Sequence, residues 1–205
     1  MAQIMLSGRE SYLSPPKKPP SGKSGGRDDF EVAPFVIAVD SREQMPFLFR
    51  DLPERLKIQT LKKGLRTGDY SICGLEKFVT VERKSKADLF GSVSTGRDRF
   101  EREMQRLAKI PRCCVVVEAS MEEIQEGLGN SQMSPANVLL TGIAWAGRWR
   151  VPWWFCHDRK EAEWVTFQFL RFAWKDAMAA IENAVKLLQA RTCDLVNPDA
   201  ESKKK

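Results

Sequence analysis

The sequence predicts an α/β fold in which a mixed sheet lies between helices. Three observations lead there. Short apolar runs alternate with amphipathic helical segments over residues 35–190, in the order β-β-β-β-α-α-β-α-α-β-α. The run Arg112–Ser120 (RCCVVVEAS) is rich in β-branched residues and follows Pro111, as a central strand does. A chain of 205 residues, 42% apolar and 29% charged, suffices for one core with tails.

Residues 1–33 read as a disordered tail, because their Pro, Gly, Ser and Lys cannot bury a core. Order is expected from Phe35. Phe35–Asp40 (FVIAVD) is a buried strand that carries Asp40 at its C-terminal end. Lys57–Lys63 alternates, with Ile58 and Leu61 as anchors. Gly64 and Gly68 punctuate the turn before Asp69, and a hairpin around Gly74–Glu76 leads into Lys77–Lys84. Ser85 is a helix N-cap with Asp88 three residues on, and Gly96 ends that helix. In Arg97–Ile110, Phe100, Met104 and Leu107 share one face of a helix. A short helix follows at Met121, and another starts at Ser134-Pro135, with proline at its first position. Val151–Cys156 is the last strand. From Arg159 to about Ala190 runs one long helix or two abutting ones, apolar on two sides. Residues 191–205 read as a flexible basic tail, leaving a domain of 34–190.

Net charge is +6. Arg50–Arg66 and Arg83–Arg112 concentrate the basic residues. Such segments are either a solvated face or a focused field for a polyanion. Five cysteines without a CxxC pair fit neither a disulfide framework nor a zinc site. No apolar h-region stands at the N-terminus, and no apolar run approaches membrane-spanning length. A soluble intracellular protein, cytoplasmic or nuclear, is expected. His157, the one histidine, follows no metal-ligand spacing. Trp153 and Trp154 put one ring on each face of their strand, one for the core and one free to stack on an unpaired base.

The candidate chemistry lies in Gly68–Asp88 (GDYSICGLEKFVTVERKSKAD). Strand alternation puts Phe78, Thr80, Glu82 and Lys84 on one face and Val79, Val81 and Arg83 on the other. Asp69 arrives from the neighbouring hairpin strand. Two carboxylates suit a hard, oxygen-preferring cation, and a lysine beside them can position or deprotonate a water, or stabilise developing charge. The bare D…E-x-K pattern also fits a surface strand with ordinary charges.

Three ordered motifs carry more weight: VDSRE (Val39–Glu43), GDY (Gly68–Tyr70) and VERKSKADL (Val81–Leu89). Together they resemble the XPF-type structure-specific endonuclease domain of the PD-(D/E)XK superfamily, over roughly residues 35–190. The resemblance implies a restriction-endonuclease-like mixed sheet flanked by helices, and Mg²⁺- or Mn²⁺-dependent cleavage of branched, flapped or single-strand-containing DNA in repair, recombination or replication. It implies Asp69, Glu82 and Lys84 as catalytic residues, and Asp40, Glu43, Asp69 and Glu82 as the metal-binding acids. Arg42, Arg83, Lys86, Arg97 and Arg99 are the candidate DNA contacts, with a support role on the sheet's far side equally open for Arg83. Asp88 is either a family acid or a plain helix N-terminal acid.

A stand-alone form without the tandem helix-hairpin-helix domain that usually follows in active relatives is expected, so dimerisation is expected of the nuclease domain itself, with a separate DNA-targeting partner left open. Trp164, Phe167, Trp174 and Met178 form the candidate surface for a homodimer, with burial inside the monomer as the alternative. A non-catalytic DNA-binding subunit, or a restriction-like nuclease of the same fold, are the competing functions.

Overall fold

Five consecutive β-branched and small apolar residues, Cys113–Val117, are buried on both faces of the sheet and form the body of an interior strand. In the computed structural model, which describes residues 31–50, 52, 56–129 and 131–196, this is β5 (Arg112–Glu118). Around it the chain runs β1 (Glu31–Asp40), β2 (Leu56–Lys63), β3 (Tyr70–Ile72), β4 (Val79–Ser85), α1 (Lys86–Val93), α2 (Arg97–Leu107), then β5, α3 (Met121–Gln125), α4 (Pro135–Trp149), β6 (Trp153–Phe155) and α5 (Arg159–Val196). The order is the one the sequence predicts. The sheet is mixed, with strand order β2-β1-β3-β4-β5-β6. β3 is antiparallel to both its neighbours, whereas β1 with β2, β4 with β5 and β5 with β6 are parallel.

Side-chain alternation divides the core into two layers. On one side Ile37, Val39, Tyr70, Val79, Val81, Cys114 and Val116 meet α5. On the other, Cys113, Val115 and Val117 meet α1, α2, α3 and α4 through residues such as Phe90, Phe100, Ile124 and Trp145. The adjacent cysteines thus point to opposite faces. Trp153 turns inward against Phe100, with ring centroids 5.8 Å apart, while Trp154 is left exposed.

Several boundaries differ from expectation. β1 begins at Glu31 rather than Phe35, so the strand starts inside the stretch read as tail; residues 1–30 and 197–205 lie outside the described residues. Ser85 caps α1 as expected, accepting from the Asp88 N–H at 3.1 Å and donating to its carboxylate at 2.7 Å. That bond gives Asp88 a capping role.

The last segment is one helix of 38 residues. Its first half lies over the sheet, so both its apolar stripes find cover. Phe167 is fully buried and stacks on Phe35 at 6.2 Å, and Trp174 meets the same ring at 5.9 Å. Trp164 is half-buried against the same layer. The stripe expected at a dimer interface is therefore mostly monomer core, with Met178 half-buried at its end. Residues 179–190 are exposed and carry Ile181 and Val185. No helix among the described residues is long and apolar enough to cross a membrane.

The contrast between the two halves of α5 is measurable. Phe167→Ala is expected to lower the urea-unfolding free energy by roughly 3–5 kcal/mol, and Leu187→Ala, at an exposed position of the distal half, to change it by less than about 0.5 kcal/mol. Similar losses from both would contradict the packing described.

Candidate active site

Gly68 sets the geometry. Its φ of +73° is a left-handed conformation, and a Cβ there would lie 2.1 Å from Thr80 Oγ1 and 3.0 Å from the Val81 carbonyl. Only glycine lets the chain pass so close to β4. The next residue, Asp69, then donates its N–H to the Val81 carbonyl at 2.8 Å, while its own carbonyl accepts from the Asp40 N–H at 2.8 Å. Asp69 is thus pinned between the end of β1 and the middle of β4.

Val79 and Val81 face α5, so Thr80, Glu82 and Lys84 face the α1–α2 side. Asp69 accepts a 2.8 Å hydrogen bond from the Arg83 backbone N–H. Lys84 pairs with Glu82 Oε1, and its ammonium stands 4.5 Å from the centroid of Phe100 on α2. Glu82 is 3% exposed, and its other oxygen, Oε2, has no hydrogen-bond partner among the described residues.

The cluster is electrostatically unbalanced toward negative charge. Burial pushes the Asp69 carboxyl up to about 6, against the opposing pull of the Arg83 N–H and Lys84. Burial and the neighbouring Asp69 push Glu82 well above the usual carboxylate range. For Lys84, burial alone disfavours the ammonium, but Glu82, Glu103 and Asp69 reverse that and hold its pKa above the ordinary value.

Glu103 is a residue that sequence reasoning missed. It acts electrostatically on Asp69, Glu82, Lys84 and Arg42. Its signal was present: it lies one helical step from Phe100 and next to Met104, an acid bordering the buried face of α2.

Among the described residues no three of the four expected acids converge on one metal position, although the charge of Glu43 still bears on Asp69. Asp40 is buried and engaged, accepting from Arg42 at 2.8 Å and from the Leu65 N–H at 3.2 Å. Glu43 turns to the opposite side of the sheet, against Arg83, whose Nε and Nη2 each lie 3.1 Å from its carboxylate. The Met45 N–H bonds to Glu43 Oε1 as well, at 2.7 Å. Arg83 also reaches Glu118 on β5 at 3.1 Å. Its side chain is 9% exposed and gripped by two carboxylates, so it supports the sheet's far side and is not available as a phosphate contact.

Behind Glu118 stands another missed residue, Arg159. It bonds Glu118 at 2.5 Å and the carbonyls of Met45 and Pro46 at 2.6 and 2.9 Å, and covers the Phe47 ring at 4.8 Å. A cation in the first turn of a helix opposes the helix dipole. Those partners explain its place there.

Of the remaining candidate DNA contacts, Arg42 is anchored to Asp40 yet 70% exposed, Lys86 is half-buried, and Arg99 is exposed. Arg97 is exposed but tethered, donating to Thr141 at 3.3 Å over the Trp145 ring at 5.1 Å. His157 lies in the turn before α5, its backbone N–H on Glu161 at 2.5 Å.

This fold has relatives. A solved structure of XPF from Aeropyrum pernix matches with a TM-score of 0.55 and 19% identity, covering 76% of this chain and 73% of that one. A second, XPF from Aeropyrum pernix in complex with DNA, matches with a TM-score of 0.53 and 20% identity, covering 69% and 66%. At these identities the likeness is one of fold. No curated protein matches the chain. The ERCC4 domain model matches residues 39–168, from the strand that ends in Asp40 to the middle of α5's buried half. That is well over half of the sequence: the chain belongs to the ERCC4-domain family.

Proposed function

We propose that the chain is a divalent-metal-dependent DNA endonuclease that hydrolyses phosphodiester bonds in branched, flapped or single-strand-containing DNA, in repair, recombination or replication. The observation that carries this is Glu82 Oε2, a buried carboxylate oxygen without a donor, beside a second carboxylate whose ionisation is also opposed by burial. An arrangement of this kind is costly until a cation completes it.

The donor set fits Mg²⁺ or Mn²⁺. Asp69 and Glu82 supply hard oxygen ligands, and among the described residues no third acid, His or Cys joins them in a metal-binding group. A small hard cation held by two carboxylates takes its remaining ligands from water and substrate phosphate. When bound, the metal supplies a Lewis acid at the phosphoryl oxygen and an acidified water.

The chain's own residues do the positioning. Lys84, fixed by Glu82 and the Phe100 ring, offers an ammonium to the charge that develops on the phosphate. Asp40 orients Arg42 at the rim, where its exposed guanidinium meets the DNA backbone together with Lys86, Arg97 and Arg99. Glu43, which the resemblance places among the metal-binding acids, holds Arg83, whose backbone N–H holds Asp69, and adds its own negative charge to the field at Asp69. Retention of every acid of the three motifs favours a cutting enzyme over a non-catalytic subunit. A homodimer through the nuclease domain remains part of the proposal, with Ile181 and Val185 of the exposed stretch replacing the buried stripe as its contact.

Cleavage is tested on linear duplex, single-strand, flap, fork and four-way-junction DNA with Mg²⁺ or Mn²⁺. The wild type is expected to cut at least one branched substrate and an Asp69→Ala, Glu82→Ala double variant none. Equal cutting by both would displace the site. Without metal, Asp69→Asn is expected to raise Tm by roughly 2–4 °C at mildly alkaline pH. The sign follows from the raised pKa: the wild-type native state resists losing a proton that the unfolded chain releases, so its stability falls as pH rises toward about 6. The gap therefore closes as pH drops toward the ordinary value of 3.8. A lower Tm for the variant would remove the premise. In sedimentation, an Ile181→Glu, Val185→Glu variant is expected to run as a monomer where the wild type runs as a dimer; an unchanged mass would refute that surface.

A further inference from the structure

A groove of about 520 Å³ opens on the α5 side of the sheet, between the segment Pro46–Arg50 and the outer strand β2. It does not contain Asp69, Glu82 or Lys84, and nothing in the proposed reaction uses it. Three features mark it as a built site.

The first is its wall. Side chains alternate along the segment: Phe47 and Phe49 are each 2% exposed, whereas Leu48 is 58% exposed and Arg50 points outward with it. The two inward residues are pinned through their backbones. The Phe47 N–H donates to the Tyr70 hydroxyl at 2.8 Å, and the Phe49 N–H donates to the Glu163 carboxylate on α5. Both rings also pack on Tyr70, at 5.1 and 5.8 Å. Phe49 has a φ of +53°, a left-handed conformation that is a genuine outlier for a bulky residue. Strain of this kind persists where the surroundings over-determine it, and it concentrates at functional segments. Here it lets the chain present Leu48 and Arg50 to the groove while burying their neighbours.

The second is charge. Arg50, Lys57 and Lys62 line the groove, and among the described residues no acid lines it or pairs with these three. The floor is apolar, made of Leu56 and Ile58. Cationic donors and apolar surface, with no carboxylate among the described lining residues, suit an anion that also carries flat, weakly polar faces.

The third is position. Among the described residues β2 pairs only with β1, so it forms an edge of the described sheet. Val39, which lines the groove, is in register with Lys62, and the next pair is Asp40 with Lys63. One end of the groove is thus a single register step from the acid that anchors Arg42.

We infer that this groove binds an unpaired DNA strand, taking one or two nucleotides of it; the inference rests on the nuclease reading for its choice of polymer. Phosphates meet Arg50, Lys57 and Lys62, and unstacked bases lie on Leu48 and Ile58. A cationic track beside apolar base platforms is how sequence-tolerant single-strand sites are made. Its end at Val39 and Lys62 lies one register step from Asp40, whose N–H bonds the Asp69 carbonyl, so a strand parting from its complement at the cleavage site is led across the sheet's edge into it. The substrate this selects is a junction between duplex and single strand.

The test is fluorescence anisotropy in EDTA, where no cleavage occurs, with a labelled oligothymidylate and a blunt hairpin duplex. Leu48→Glu combined with Lys57→Glu, and Lys62→Gln alone as the milder variant, are compared with wild type after thermal melting confirms folding. The charge-reversed variant is expected to lose about tenfold or more in affinity for the oligothymidylate and less than about twofold for the duplex. Lys62→Gln is expected to reduce the salt dependence of single-strand binding by about 0.7 in log–log slope. Equal losses on both DNAs, or no loss on either, would overturn the inference. So would self-association of the variants with unchanged DNA binding, which would make the lysines only guards of an exposed edge. Capture of an acidic extended peptide but not of the oligonucleotide would do the same. The Asp69→Ala, Glu82→Ala variant is expected to bind the oligothymidylate as wild type does, so the groove stands or falls apart from the cleavage reaction.

Discussion

Arg83 is the tie on which the rest of the site depends. Its backbone N–H holds the Asp69 carboxylate on one side of the sheet, and its guanidinium bridges Glu43 and Glu118 on the other. A guanidinium taken out of water is expensive unless every face of it is matched, and two carboxylates at 3.1 Å match it. The consequence is that strand β4 cannot slip or twist at this residue without breaking a buried ion pair. Asp69, hung from the same peptide unit, inherits that rigidity. Arg159 extends the bridge by holding Glu118 and the carbonyls that follow Glu43, so the segment leaving β1 is fastened to the start of α5.

Against that rigid back, the front of β4 is energetically unfinished. Glu82 is buried and Asp69 half-buried, both resist ionisation, and among the described residues they share one nearby ammonium, that of Lys84. Proteins keep such arrangements where a charge is to be supplied from outside. The Phe100 ring lends its negative face to Lys84 but gives the carboxylates nothing. The chain thus divides its labour by sheet face, with neutralised charge behind and unneutralised charge in front. That division follows from the two-residue period of a strand, which sends Glu82 and Arg83 in opposite directions.

The same period explains what could be read from the sequence. Asp69, Glu82 and Lys84 were legible because their placement is local: a glycine that only a tight passage requires, then an alternating strand. Glu43 was not. It follows Asp40 by three residues, and a turn in which its N–H bonds the Asp40 carbonyl sends the two acids to different sides. Glu118 and Arg159 act on Arg83 from 35 and 76 positions further along the chain, across pairings that no local pattern encodes. For α5, periodicity showed two apolar stripes but not what covered them. Phe35 covers Phe167 and Trp174, and only the folded chain puts those rings together. Glu103 was legible in principle, as an acid bordering an apolar helical face, yet its meaning depended on knowing which strand lay beneath.

α5 has a consequence for the order of assembly. The layer behind the sheet is closed by Phe167, Leu170 and Ala173, and the support of Arg83 is closed by Arg159, all from α5, which is synthesised after every strand of the sheet. Before that helix docks, β4 has its carboxylates but not the clamp that aims them. Asp69 and Glu82 are therefore made before Arg159, the residue that completes the support behind them. A growing chain of this protein carries its acids before it has the geometry that holds them.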